Sequence, residues 1–502
     1  MPSKMADDIL LYLLTFNCAR NLVDIDRFAD HFFDALPLTD TSISQSSPDV
    51  IAVSLQEVAP IAYAFLGGSF LTPYLARWNQ VVDQAVARRW KDVHYVNLLT
   101  ENVGMTALMV FARSDVAENI STTASACVGL GLQQMGNKGA VGARLTYTSP
   151  GPDEVSTDLT LVAAHLAPME DAVHQRNDDW RAIVERLVFE RPGTARPTHE
   201  TGETAEEPER TALLHESTSH APEDLRGIFI PTSYLFLAGD LNYRTSDASP
   251  SKQDSARFPQ AHADPTSALH YSHLLKEDQL IREMQQSRTF HGLSEAPITF
   301  PPTYKYTSAA RQAAGNTNLD EGAQEWLWTS TRWPSWCDRV LYLESPPGLD
   351  RDAQVKPLAY KALPLFPTSD HRAVGFSALV PVRPASQGVT TRTVAPFPID
   401  SKWRPGCEMD LERSGVHGNG KWKDAMSIHP QRLNADKQDF SLPAAPMPAA
   451  DDIRCESCES REATRYSRLS KAPVEGISVF SPCQDVWSDE KADIPNGPVP
   501  EL

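Results

Sequence analysis

No apolar run in this 502-residue chain approaches the roughly 20 residues that a helix needs to cross a bilayer. The earliest, ILLYLLTF (9–16), follows Asp7 and Asp8 and suits a buried strand better than a signal peptide. Positive charge is scarce as well. Lys and Arg number 46 against 65 Asp and Glu, a net charge of -19. That argues against nucleic acid as a partner, since such proteins carry a basic field. It leaves room for an anionic substrate, because a local basic pocket or a divalent cation inverts the potential at one place. Seven scattered cysteines make no disulfide framework and read as the reduced thiols of a cytoplasmic protein. No internal repeat is present.

What is there is a long patterned region followed by an unpatterned one. Up to about Val382, short apolar runs alternate with amphipathic stretches. The runs at 9–17, 49–58, 104–113, 140–148, 158–166, 233–242, 339–344 and 373–382 read as strands. Their near-continuous hydrophobicity implies sheets covered on both faces. Helical spacing is clearest at 171–189, where Val173, Trp180, Ile183, Val184 and Leu187 share a face. A second helix is expected at 272–286, although Asp278 interrupts its apolar face. Residues 191–226 and 245–268 read as disordered insertions. Pro- and charge-rich residues 383–502 read as a disordered tail.

The polar residues collect at strand ends. Asn17 closes the first run, Gln56 and Glu57 the second, His165 the fifth, and Asp240 and Asn242 the sixth; Asp370 and His371 precede the last. Ends of packed strands converge in space, and sites gather there. Carboxylates with amides suit Mg²⁺, a hard cation. With an Asp to activate water and a His to steady oxyanions, the set describes metal-assisted hydrolysis of a phosphate ester.

The fragments LTFN, SLQEV, QMGNKGAVG, AAHLAP then RN, AGDLNYR, PPTYKY, PSWCDRV and TSDHRAV occur in that order between Ile9 and Val382. In this they resemble the inositol polyphosphate 5-phosphatases of the endonuclease/exonuclease/phosphatase superfamily. The resemblance implies an α/β fold, a four-layer sandwich of two packed mixed sheets flanked by helices, as in pancreatic deoxyribonuclease. It implies a catalytic domain over 1–382 and Mg²⁺-dependent removal of a 5-phosphate from phosphoinositide lipids or soluble inositol phosphates. It also implies peripheral contact with membranes.

Site roles follow from the same resemblance. Glu57, with Asn17 and Asp370, is expected to hold the metal. Asp240 is expected to be the base and Asn242 to orient the water. His165 and His371 are expected to stabilise phosphoryl oxygens, Asp338 keeping His371 protonated. Asn137, Lys138, Tyr304, Lys305 and Arg339 are expected on the substrate, Arg339 at a neighbouring 4-phosphate, with Arg176 and Asn177 supporting them. Leu132 and Met135 are candidates for dipping into a bilayer. The first motif departs from the usual Asn-Val-Asn pattern, so only Asn17 is matched there.

Three rivals weaken on inspection. A cysteine phosphatase needs Cys-x5-Arg, which occurs at Cys407–Arg413 and Cys455–Arg461 but among acidic residues that raise a thiol pKa and repel phosphate. A nuclease on the same fold would not need PPTYKY or WCDR. A non-enzymatic phosphoinositide-binding module predicts a lost catalytic residue, and none is lost.

Overall fold

The computed structural model describes residues 8–37, 46–131, 137–150, 154–189, 226–316, 326–349, 352–385 and 395–403. All fall within the unit Met1–Pro405. Its strands are β1 (Asp8–Asn17), β2 (Val50–Gln56), β3 (Tyr95–Val103), β4 (Thr106–Arg113), β5 (Ile120–Leu130), β6 (Lys138–Thr148), β7 (Ser156–His165), β8 (Ser233–Asp240), β9 (Asp338–Tyr342), β10 (Lys356–Leu365) and β11 (Arg372–Pro381). The helices are α1 (Ile25–His31), α2 (Ile61–Leu66), α3 (Gly68–Arg89), α4 (Ser114–Ala117), α5 (Val173–Arg186), α6 (Tyr271–Leu275), α7 (Gln279–Gln285) and α8 (Ser308–Gly315).

Two mixed sheets result, ordered β10-β11-β1-β2-β4-β3 and β5-β6-β7-β8-β9. Side chains alternate across each strand, so one set meets between the sheets and the other faces outward. Leu11, Leu13, Val110, Leu161, Phe236, Trp336 and Phe376 fill the space between the sheets. On the outer face of the first sheet, Phe16, Phe28, Trp78 and Phe366 pack as interlocked rings from β1, α1, α3 and the loop before β11. On the outer face of the second, α5 lays Trp180, Ile183 and Val184 against Leu235 and Leu237. The fold is therefore the four-layer α/β sandwich.

The eight strands expected from apolar runs are present. The three others, β3, β5 and β10, are all at sheet edges. Edge strands bury less, and β3 is half-exposed along most of its length, so no continuous apolar run marks it. The expected helix at 272–286 is two helices. Asp278 caps α7 through the Ile281 backbone N–H at 3.0 Å, which explains the carboxylate on an apolar face.

Residues 245–268 carry defined turns, including a 3-10 turn at Asp254–Arg257, and bury Phe258 against Trp333. Ala395 to Trp403, assigned by the sequence to the tail, lie along α5: Asp400 N–H donates to the Glu185 carbonyl at 2.8 Å, and Phe397 meets His291. The isolated aromatics of that stretch make it adhere. The insertion at 191–225, Leu132, Met135, Cys407, Cys455 and the chain from 404 onward lie outside the described residues. No helix among the described residues is long and apolar enough to cross a membrane.

Candidate active site

Strand register assembles the site. β1 and β2 run parallel with Asn17 opposite Gln56; β7 and β8 run parallel with His165 opposite Asp240. β9 returns antiparallel, setting Asp338 opposite Asp240. β6 pairs Gly139 with His165, so Lys138 arrives at the same end. In β11 Val374 faces Thr15, which carries His371 past Asn17. Polar links then tie the sheets together here. Ser54 Oγ donates to the Ala238 carbonyl at 2.8 Å and Asn17 Nδ2 to Asp240 Oδ2 at 2.9 Å, while within the first sheet Ser369 Oγ donates to the Asn17 carbonyl at 2.6 Å and holds the loop before β11 to β1.

Asp240 is the hub. Besides Asn17, it receives the Asn242 backbone N–H at 3.1 Å and faces His165 Nε2 at 3.3 Å. Burial pushes its carboxyl up, but the His165 hydrogen bond and the neighbouring cations outweigh it and hold the group ionised. His165 is fully buried, and burial followed by the charge of Lys138 lowers its pKa, so the ring is neutral. Its Nε2 faces both Lys138 Nζ and Asp240, and can accept from one or donate to the other but not both. Its Nδ1 has no partner. Burial also lowers the Lys138 pKa, against the pull of Glu57 and Asp240.

His371 differs. Its Nδ1 lies 2.9 Å from Asp338 Oδ2, which also accepts from Thr303 Oγ1 at 2.7 Å. Burial opposes charge on His371, but Asp338 overcomes it and raises the pKa to about 9. Asp240, Asp338 and His371 each place a ligand atom within 4.8 Å of the others. Within this trio His371 spends its Nδ1 on Asp338, so the hydrogen bond pairs those two groups, while Asp240 is engaged by Asn17, Asn242 and His165.

Glu57 sits just past β2 in the left-handed region, φ 46°, an unusual conformation for this residue. Its part-exposed carboxylate pairs with the exposed Arg20 at 3.1 Å. Asp370 faces Lys305 at 3.8 Å. Tyr304 packs its ring on His371, centroids 4.4 Å apart. Asn137 abuts Gly131, whose positive φ and missing Cβ admit it; a Cβ there would lie 2.5 Å from Asn137 Oδ1.

Arg339 does not reach a substrate. It is fully buried and clamped between Glu295 (2.7 Å from Nε) and Asp278 (3.1 Å from Nη1). Alternation along β9 turns it away from the face that Asp338 uses. Arg176 and Asn177 likewise hold protein rather than substrate. Arg176 is buried and donates to the Ala167 and Met169 carbonyls, fixing the loop after His165. Asn177 bridges Glu283 (2.9 Å) and the Tyr243 hydroxyl (2.7 Å).

Arg244 is the residue that the sequence left without a role. Buried, it donates from Nη2 to Asn242 Oδ1 at 2.6 Å and from Nε to the Asn242 carbonyl at 3.0 Å. Its guanidinium lies 4.5 Å over the Tyr304 ring, and Nη1 has no partner. Asn242 Nδ2 donates to the Leu166 carbonyl at 3.1 Å, so both ends of that amide are fixed. The signal was its place inside AGDLNYR.

Residues 14–377 match the family model described as "Endonuclease/Exonuclease/phosphatase family 2". The chain belongs to this family. Among curated members it is 28% identical over 346 residues to "Type I inositol polyphosphate 5-phosphatase 13" of Arabidopsis thaliana, covering 66% of this chain and 28% of that protein. It is 26% identical over 357 residues to the mouse "Type II inositol 1,4,5-trisphosphate 5-phosphatase", covering 70% and 29%. The chain thus spans less than a third of either relative. Among solved structures, the 5-phosphatase domain of SPsynaptojanin, in complex with inositol (1,4)-bisphosphate and calcium ion, matches with a TM-score of 0.51 at 22% identity. That match covers 75% of this family member and 86% of the other chain, and it fixes the fold.

Proposed function

We propose that this family member is a Mg²⁺-dependent phosphoric monoester hydrolase. It removes the 5-phosphate from phosphoinositides such as phosphatidylinositol 4,5-bisphosphate, or from soluble inositol polyphosphates, in the cytoplasm and at membrane surfaces. One observation carries the reading: an ionised, buried Asp240 hydrogen-bonded by Asn17 and His165, across a strand pair from an Asp338 that keeps His371 cationic. A base and a cation held apart by their surroundings are what hydrolysis of a monoester anion needs. The names of the curated relatives, and the inositol bisphosphate in the SPsynaptojanin domain, support the substrate class.

The donor set fits the metal. Glu57 offers a part-exposed carboxylate whose partner is an exposed Arg20, and Asn17 a hard amide oxygen that accepts the Ala19 N–H at 2.9 Å and keeps a second lone pair. When bound there, Mg²⁺ supplies polarisation of a phosphoryl oxygen and neutralises its charge. Asp370, engaged with Lys305, is the weaker candidate ligand.

The chain's own groups do the rest. Asp240 accepts the proton of a water as its oxygen bonds to phosphorus in line with the departing ring oxygen. Asn242, its amide clamped by Arg244 and Leu166, orients that water. As the P–O bond to the ring breaks, His371 and Lys138 balance the phosphoryl charge, and His371 holds a proton for the departing oxygen. Tyr304 and Lys305 stand beside His371 and Asp370 as contacts for a neighbouring phosphate.

The test is phosphate release from a panel of inositol phosphates and phosphoinositides, with Mg²⁺ and after its chelation. Inositide-specific release that stops on chelation is expected. Release only from abasic DNA would assign a nuclease instead, and binding without any release would assign a binding module.

A further inference from the structure

The stretch NCARN, Asn17 to Asn21, leaves the end of β1 where the first motif departs from the usual Asn-Val-Asn pattern. Two of its residues sit in the left-handed region, Ala19 at φ 47° and Arg20 at φ 65°, as does Glu57 across from them at φ 46°. None of these residue types favours that region, so contacts must hold them there. Backbone bonds carry the β1–β2 pairing past both strand ends: the Cys18 N–H donates to the Gln56 carbonyl and the Arg20 N–H to the Glu57 carbonyl, each at 2.7 Å. Asn17 Oδ1 accepts the Ala19 N–H at 2.9 Å. Asn21 Nδ2 donates to the Ala19 carbonyl at 3.0 Å and to the Thr368 carbonyl at 2.7 Å. The loop is thereby tied to the end of β2 on one side and to the segment before His371 on the other.

This lock sets the root of the Arg20 side chain beside that of Glu57, and the guanidinium closes on the carboxylate, Nε 3.1 Å from Oε2. The carboxylate is the one expected to carry the metal, and its charge acts on the buried Lys138 inside the site. In a chain of net charge -19 a cation meets it because the backbone puts it there, not because the surface is basic. The pair is lopsided, with the Arg20 side chain 60% exposed and that of Glu57 23%. An ion pair so open to water holds weakly. Guanidinium only donates, and Mg²⁺ takes oxygen ligands, so both seek the same carboxylate. Even on the other oxygen, the metal would lie within a few ångströms of a unit positive charge, which repels it.

We infer that Arg20 is an internal competitor for the metal. It neutralises Glu57 while no metal is bound, must swing into solvent for Mg²⁺ to bind, and so raises the Mg²⁺ concentration at which the site becomes active. This rests on the Mg²⁺-dependent reading of the site and adds a residue that regulates it.

The experiment titrates Mg²⁺ alone into the full chain by calorimetry, without substrate, for the wild type and four variants. Arg20→Gln should bind Mg²⁺ about three- to tenfold more tightly, the worth of one weak ion pair and the relief of like-charge repulsion. Arg20→Lys, which keeps the charge, should stay near the wild type. Arg181→Gln removes the same charge from an exposed pair with Glu185 on α5 and should change nothing. In a Glu57→Gln background, adding Arg20→Gln should have no effect. Raising ionic strength from about 0.05 M to about 0.5 M should narrow the gap between wild type and Arg20→Gln, since screening weakens the competitor. In phosphate release from inositol 1,4,5-trisphosphate, the half-activating Mg²⁺ concentration should fall by the same factor in Arg20→Gln. Unchanged or weaker Mg²⁺ binding by Arg20→Gln overturns the inference and, if release still needs Mg²⁺, leaves the phosphatase reading standing. Equal tightening in Arg181→Gln, or tightening that persists without Glu57, overturns it as well. If Arg20→Gln tightens Mg²⁺ but no inositide is hydrolysed, the competition stands and the phosphatase reading falls.

Discussion

Asp338 and Arg339 are neighbours in one motif, yet they belong to two buried polar clusters of opposite character. Around Arg339, every polar side-chain group is matched: Glu295 takes Nε and Nη2, Asp278 takes Nη1 and caps α7, and the Tyr360 hydroxyl donates to Glu295 while accepting the Val340 N–H. Around Asp338 the ledger is left open. His165 Nδ1, Arg244 Nη1 and one oxygen of Asp338 have no partner although buried. Unsatisfied buried polar atoms are costly, and three of them converging on one cluster of catalytic candidates leave groups there that a bound substrate or water can pair with. The saturated cluster holds β9, β10 and α7 in place; the unsaturated one waits for chemistry.

Mutations should separate the two. Asp240→Asn should lower phosphate release by about 10²–10⁴-fold, the worth of a general base, with little change in thermal midpoint. Arg339→Met should do the reverse, costing about 3–5 kcal/mol in urea unfolding because Asp278 and Glu295 are left buried without their cation. The folded fraction should keep its activity; a selective loss of kcat would return Arg339 to the site. Arg244→Met should fall between, lowering kcat by about 10²-fold through a loosened Asn242 while urea unfolding moves little. An equal shift in KM alone would make Arg244 a substrate contact instead. The smallest effect is in pH. His371 is protonated up to about pH 9, so activity should decline as pH rises through that value, and Asp338→Asn should move this limb downward. The folded pKa is raised, so the stability from this pair is complete below the ordinary 6.5 and lost as pH rises through about 9. An alkaline limb that stays put in Asp338→Asn would separate His371 from it.

Much of this is legible in the sequence, and what is not legible shares a cause. The strands buried on both faces announce themselves as apolar runs, and the polar residues at their ends converge as strand packing requires. Edge strands such as β3 and β10 do not announce themselves, because half their residues face water. The 22 residues of α3 are not picked out either, although Leu71, Trp78, Val81, Val82, Ala85 and Val86 recur at helical spacing; the exposed apolar residues of its first turn blur where that face begins. Within the site, motif membership is one-dimensional while faces alternate. The motif places both Asp338, as the partner of His371, and Arg339, as a phosphate contact, at the site, yet a strand sends them to opposite sides. Arg244 went without a role for the converse reason: its partner Tyr304 lies sixty residues on, and only folding brings the guanidinium over that ring. The thiol of Cys337, beside Asp338 in PSWCDRV, is buried, donates to the Tyr243 carbonyl and has its pKa pushed well up by burial, so it takes no part in the chemistry.

The most direct measurement is the position of the bond that breaks. Wild type and Asp240→Asn should be given inositol 1,4,5-trisphosphate in ¹⁸O-water, and products resolved by phosphorus NMR and mass spectrometry. The account predicts inositol 1,4-bisphosphate from the wild type alone, with one ¹⁸O in the released phosphate and none in the ring product. Loss of a different phosphate, label in the ring hydroxyl, or equal turnover by Asp240→Asn would contradict it.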